Sequence, residues 1–338
     1  MQWHSRKCVS TCVPVVELCC IYVKPKLKYR SVGSYYTANH FPDEILRSAL
    51  SYEPHPEDVF IVTYPKCGTT WLQSILYNIY TNGAPVESIE DFAKRMPFLE
   101  RMGAEGLTDL VRPGSAIKTH MLYDPNRISK QARYIYLARN PFDCCVSFYH
   151  HHKFFPFYLF EDGTFDEFFE QFMSGQVDFG DYFDHLLSWY PHRDEPNVLF
   201  MTYEDLKQDT RFWVQKVADF LGSRYGNSLR EDPAAMERIL DAASMDSVRE
   251  LFWREKDYRR QVSTVTPVDQ IPRWASLFAE VVGNVQRKPH GDEFVRKGIV
   301  GDWKNYFKPE QRERLKRRAR ERCSEINAME LWKHLDLC

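Results

Sequence analysis

Four places in this chain carry side chains that could meet an anion or move a proton. The first is Pro65-Lys66-Cys67-Gly68-Thr69-Thr70-Trp71, set between the apolar run Val59–Tyr64 and helically spaced Leu72, Ile75, Leu76 and Ile79. A strand, a tight turn and a helix aim free backbone N–H groups and the positive end of a helix dipole at one point, which suits phosphate. The turn is not a Walker A loop, because Lys66 precedes the glycine and no earlier glycine supplies the long cradle. The second is His120, whose imidazole type, with a pKa of about 6.5, can take a proton from a weak nucleophile at neutral pH. The third is Arg139 with Ser147 eight positions on, a forked permanent cation and a hydroxyl that match phosphate oxygens. The fourth is Arg296-Lys297-Gly298-Ile299-Val300-Gly301-Asp302-Trp303, two cations and two glycines that permit close backbone approach to an anion. Taken singly, each admits a plain reading: an ordinary turn, a structural histidine, a surface ion pair, a solvent loop.

The elements that must position these groups read as an α/β chain. Buried strands are expected at Val59–Tyr64, Ala116–His120, Arg133–Ala138 and Asn197–Thr202. Helical segments follow: one after Thr70, one through Ser147 and one from Tyr203 through Leu221. A further helix is expected over Tyr36–Tyr52, and Thr81–Met96 reads as loop. Strands alternating with helices imply a central parallel sheet flanked by helices in a single domain over 36–338, after an irregular arm over 1–35. Ligands of such sheets sit beyond the carboxyl ends of the strands, where Lys66, His120, Arg139 and Tyr203 all fall.

Composition is that of an ordinary globular chain: 338 residues, 43% hydrophobic, 27% charged and a formal net charge of -2. That balance gives no general pull toward nucleic acid or membrane, so an anion site must be local. Nine cysteines, Cys67 among them, form no evident disulfide framework and are expected to be reduced thiols. The apolar stretch Cys12–Val23 follows Arg6 and Lys7 but contains Glu17, lacks a small-residue cleavage site and falls short of the ~20 residues that span a bilayer. His150-His151-His152 gives no metal expectation, since adjacent helical residues point in different directions. Arg312–Arg322, with seven basic residues, reads as a solvated helix face. Phe154–Phe183 and Tyr258–His290 are expected to include loops that fold over the site.

Together the motifs Thr63–Trp71, Ile117–His120, Ala138–Ser147 and Arg296–Trp303 resemble, in order, those of the cytosolic sulfotransferases. The resemblance spans roughly Tyr52 to Trp332 and implies the P-loop-kinase-like sulfotransferase fold. It also implies a donor, 3'-phosphoadenosine 5'-phosphosulfate (PAPS, leaving PAP as product). By the same resemblance, Lys66, Cys67, Gly68, Thr69 and Thr70 hold the 5'-phosphosulfate. Arg139, Ser147, Arg296, Lys297 and Gly298 hold the 3'-phosphate, and Trp71, Tyr203 and Ser244 the adenine side. His120 is the base, with Lys66 and Lys118 meeting developing charge, and Phe98, His120 and His151 face the acceptor. The implied activity is sulfuryl transfer to the hydroxyl or amine of a small aromatic acceptor in the cytoplasm, with no metal, nucleic acid or membrane. Cys67 stands where the family usually has serine, and Ala243-Ser244-Met245 where it often has threonine and phenylalanine. The family's dimer motif is degenerate here, with Lys308 and Pro309 at its centre, so a homodimer is left open. Two other readings stand beside this one: a phosphotransferase requiring Mg²⁺ and ATP, and a non-catalytic binder of phosphorylated adenosine.

Overall fold

The computed structural model describes residues 29–265, 267–283, 295–324 and 326–335. Most of the expected arm lies outside these residues, but its last part is regular. Strands β1 (Tyr29–Val32) and β2 (Tyr35–Ala38) form an antiparallel hairpin. The expected helix over Tyr36–Tyr52 is therefore shorter, Asp43–Leu50. Pro42 at its N-cap sets the start, and Arg30 ties the preceding turn by donating to the carbonyls of Ala38 (3.0 Å) and Phe41 (2.6 Å).

The central sheet has four parallel strands, β3 (Val59–Val62), β4 (Ile117–Thr119), β5 (Arg133–Ala138) and β6 (Val198–Thr202), in the order β4-β3-β5-β6. All four residues of β3 are buried, as a strand covered on both faces requires. Alternation splits its side chains between two cores. Phe60, Val62, Tyr134 and Tyr136 pack with Phe142, Phe148 and Trp189 on one face. Val59, Ile61, Ile135 and Leu137 pack with Leu72, Ile75, Leu76 and Val217 on the other.

Several boundaries differ from the sequence expectation, each for a local reason. Thr81–Met96 is not all loop: Ile89–Arg95 is a helix whose N-cap, Ser88, accepts from the Asp91 N–H at 3.2 Å. The helix after β5 runs on past Ser147 to Phe154, and the one after β6 breaks at Asp209, which caps a second helix, Thr210–Leu221. Phe154–Phe183 contains the helix Phe165–Met173 with Phe168, Phe169 and Phe172 in the core, so most of its aromatics are packing residues. Tyr258–His290 is largely the helices Met245–Val265 and Arg273–Gly283, its last part lying outside the described residues. The basic helix Pro309–Cys323 is only partly a solvated face. Arg314 pairs with Glu170 at 2.6 Å, Arg318 with Asp181 at 2.5 Å, and Arg322 with Asp184, which clamps this helix onto its neighbours. No helix among the described residues is long and apolar enough to cross a membrane.

Candidate active site

The turn after β3 is shaped by two backbone positions with positive φ, Lys66 at 70° and Gly68 at 104°. A non-glycine residue in that region is strained, and such residues cluster at functional sites. At Gly68 a Cβ would lie 2.8 Å from Tyr203 Cδ2 and 3.1 Å from Leu137 Cδ2, so glycine is needed for space as well as for φ. Helix Thr69–Tyr80 starts directly from this turn, leaving its first N–H groups without intrahelical partners and facing the cavity. Thr63 and Thr69 hydroxyls, 2.7 Å apart, brace strand end against helix start. Cys67 does not join the cavity wall. Its thiol is buried against Cys144, with Sγ atoms 3.8 Å apart, and its N–H donates to the Tyr64 carbonyl at 3.3 Å, closing the turn.

Lys66 reaches the cavity from within a ring of cations. Burial first, then the charges of Lys118 and Arg139, lower its pKa to about 7. An ammonium so poised gains most from an incoming anion.

His120 emerges where β4 ends. Its Nδ1 lies 2.7 Å from the Thr63 carbonyl oxygen and 3.2 Å from the Thr63 hydroxyl. A carbonyl only accepts, so Nδ1 carries the hydrogen and Nε2 keeps its lone pair. Burial and then the Lys118 charge hold the imidazole well below its ordinary pKa, so it stands neutral and able to accept a proton. Phe98 and Phe179 flank the ring, with centroids 5.3 and 4.9 Å away. Lys118 lies over the Phe98 ring at 4.1 Å.

A second group of donors gathers around Arg139. Its guanidinium stacks on Tyr203 at 4.4 Å and donates through Nη1 to the Lys66 carbonyl at 3.1 Å. Its buried Nε has no partner among the described residues, a donor left for a ligand oxygen. Ser147, two helical turns on, lines the same cavity. The Arg296–Trp303 loop is brought in by Asp143, which accepts from the N–H groups of Gly301 (2.7 Å) and Trp303 (3.0 Å). Arg296 and Lys297 both face the cavity while pairing with Asp302, Lys297 at 2.8 Å. Burial alone would raise the Asp302 carboxyl, but bonds from Lys297, Arg296 and Asn305 carry it down to about 2. Arg249 supports this loop from below, donating to the carbonyls of Val295 (3.1 Å) and Arg296 (3.2 Å).

On the nucleoside side, Trp71 and Tyr203 rings meet at 5.2 Å, and the indole N–H donates to the Ala243 carbonyl at 2.8 Å. Ser244 is turned away. Its hydroxyl bonds Ser247 at 2.8 Å at the head of helix Met245–Val265 and is not among the residues lining the cavity. Met245 lines it instead, packed so closely on Gly298 that a Cβ there would lie 2.2 Å from its sulfur. His151 does line the cavity, whereas His150 bonds Tyr306 at 2.8 Å and His152 bonds the Phe148 carbonyl at 3.0 Å. The three neighbours thus point apart, and no cluster of three His, Cys, Asp or Glu among the described residues is placed to hold a metal ion.

Lys66, Gly68, Thr69, Thr70, Lys118, His120, Arg139, Ser147, Arg296 and Lys297 all border one cavity of about 1810 Å³. A typical small-ligand pocket is roughly 300–1,000 Å³, so this one has room for two ligands side by side. Lys66, Arg139, Arg296 and Lys297 form a cationic end, and Phe41, Phe98, Phe155, Phe157, Tyr158 and Phe179 an aromatic end, with His120 where they meet. The cradle at Gly68, the spare Arg139 donor and the cationic end fit a nucleotide carrying two separated anionic groups. Sequence reading missed Thr63, Glu100, Asp143, Met245 and Asp302. Asp302 had a visible signal, lying beside the two cations in the same motif.

Comparison with known proteins agrees with this architecture. A family model described as "Sulfotransferase domain" matches residues 56–271 and 273–327. Human Sulfotransferase 1C2 is 33% identical over 276 residues, covering 78% of this chain and 82% of the relative. Human Sulfotransferase 1E1 is 34% identical over 272 residues, covering 76% and 80%. Among solved structures, mouse sulfotransferase SULT7A1 complexed with PAP superposes with a TM-score of 0.63 at 24% identity, covering 92% of this chain and 99% of that one. Retinol dehydratase, in complex with androsterone and inactive cofactor PAP, gives 0.61 at 21% identity and shares the fold. On the family match, the central parallel sheet and the ordered motifs at its edge, the chain belongs to the sulfotransferase family.

Proposed function

We propose that this sulfotransferase uses PAPS and a small aromatic acceptor, a phenol or monoamine, with His120 as general base. When bound, PAPS supplies the sulfuryl group and a phosphate leaving group. The donor's 5' end fits the Lys66–Thr70 turn, and its 3'-phosphate fits Arg139, Ser147, Arg296, Lys297 and Gly298. His120 Nε2 takes the proton from the acceptor hydroxyl or amine as that atom attacks sulfur. Lys66 and the N–H groups at the start of helix Thr69–Tyr80 meet the charge that collects on the leaving oxygen, and Lys118 adds to that field. Phe98 and Phe179 orient a flat acceptor against His120. The observation that carries the reading is the fixed tautomer: the Thr63 carbonyl 2.7 Å from His120 Nδ1 leaves Nε2 unprotonated in the cavity shared with Lys66. We place the protein in the cytoplasm, which suits the buried, unbridged thiols of Cys67 and Cys144.

The test is transfer of labelled sulfate from PAPS to a panel of phenols, aromatic monoamines and aliphatic alcohols, run without added metal. Turnover concentrated on the phenols and amines is expected. A preference for aliphatic alcohols would refute the acceptor class, and dependence on Mg-ATP would refute the donor.

A further inference from the structure

Segment Arg95–Phe98 lies along the free edge of β4 and serves as a short extra strand. The N–H of Ala116 donates to the Arg95 carbonyl and that of Lys118 to the Pro97 carbonyl, both at 2.8 Å, and Phe98 pairs with Lys118 in parallel register. Parallel pairing continued by two residues would give the His120 N–H the Leu99 carbonyl. The chain instead turns into the short helix Leu99–Met102, and that carbonyl bonds the Gly103 N–H at 2.8 Å. The carboxyl of Glu100 fills the gap. Its Oε1 accepts from the His120 N–H at 2.6 Å and from the Thr119 hydroxyl at 2.8 Å. Glu100 is wholly buried, and its Oε2 has no partner among the described residues. Burial raises its pKa, opposed by the bonds from His120 and Thr119 and, more weakly, by the charge of Lys118.

We propose that Glu100 is a positioning residue for catalysis: its side-chain oxygen replaces the missing ladder carbonyl and fixes the backbone of His120, and with it the imidazole, at the end of β4. The proposal rests on the reading of His120 as base. The extra strand just before Glu100 carries Phe98 on the acceptor wall, so one short stretch sets the base and one face of its substrate together. An acceptor oxygen is what this role needs, not a charge, so an amide should serve where a shortened carboxylate should not.

The experiment compares Glu100→Gln, Glu100→Asp, Glu100→Ala and His120→Ala with the parent protein. The readouts are kcat and KM for acceptor and donor, PAP affinity, and hydrogen–deuterium exchange of the Ile117–Met121 amides. Displacing a base by about 1 Å can cost about 100-fold, so Glu100→Ala and Glu100→Asp should lower kcat by about 10- to 100-fold. Both should keep PAP affinity within about threefold and speed exchange at the His120 amide, whereas Glu100→Gln should hold kcat within about threefold. If Glu100→Ala fails to fold, the contrast between Asp and Gln decides. Full kcat in Glu100→Asp, or equal loss in Glu100→Gln and Glu100→Asp, overturns the positioning role. Turnover surviving in His120→Ala overturns the base assignment instead, whatever the Glu100 variants do.

Discussion

The carbonyl oxygen of Thr63 and Nδ1 of His120 lie 2.7 Å apart, joining the residue just past the end of β3 to the one just past the end of β4. This bond decides which imidazole nitrogen can work as a base. His120→Ala should therefore lower turnover by roughly 10²–10⁴-fold, with PAP affinity in the folded variant kept within a few fold. The pH profile follows from the same surroundings. The His120 pKa is held well below its ordinary value by burial and then by Lys118, so the acid limb of kcat/KM should lie on the acid side of the ordinary histidine value. Lys118→Met removes one of the charges that hold it down, and the limb should move toward neutral pH. A limb that stays put in this variant would show that another group sets it.

Lys66 gives a second pH effect, with the opposite limb. With its pKa lowered to about 7, the free protein loses this charge as pH rises through that value. An anion bound beside it favours the charged form, so binding above that pH must take up a proton. PAP affinity should fall with rising pH, and calorimetry in buffers of different ionisation enthalpy should register the uptake. Lys66→Met should abolish both the slope and the uptake.

The cations at the far end of the cavity should act on affinity before rate. Arg139→Ala or Arg296→Ala should each weaken PAP by about 1.5–3 kcal/mol, while adenosine 5'-phosphosulfate, which lacks the 3'-phosphate, should bind parent and variants alike. Asp302, which pairs with Arg296 and Lys297, bears on stability. Its pKa lies near 2, below the usual carboxylate value, so its contribution is present above about pH 4 and is lost as pH falls toward 2. Asp302→Asn should thus cost stability at neutral pH, on the order of 1–2 kcal/mol, and nothing below pH 2. Denaturant titrations at the two pH values test this.

Two neighbouring residues of the turn should respond in opposite ways. Gly68→Ala puts a methyl group into Tyr203 at a backbone angle that alanine resists, so both melting temperature and PAP affinity should drop. Cys67→Ala, whose side chain points into the core, should lower melting temperature while leaving PAP affinity within about threefold. Loss of affinity in Cys67→Ala at unchanged stability would reverse this assignment.

What could be read from the sequence was whatever is written in adjacent residues. Val59–Trp71 carries strand, turn and helix in one unbroken stretch, and Arg133–Ala138 is bounded as its apolar run suggests. The strand-end positions of Lys66, His120, Arg139 and Tyr203 followed from the apolar runs that precede them. Glu100 was not legible, because its bond to His120 joins positions 20 apart and runs from side chain to backbone. Ser244 was read by analogy, but the helix start at Met245 draws its hydroxyl to Ser247. The hairpin Tyr29–Ala38 escaped notice because four-residue strands hold too few residues to show alternation.

The two bonds that Asp143 accepts from Gly301 and Trp303 join parts of the chain 158 and 160 residues apart. During synthesis, the turn at Lys66, the strand end at His120 and the arginine at Arg139 leave the ribosome long before the Arg296–Trp303 loop exists. Until that loop exists, Asp143 has neither the Gly301 nor the Trp303 N–H to accept from. Full PAP affinity therefore requires the Arg296–Trp303 loop to have docked on Asp143, because that loop carries two of the cations lining the cavity.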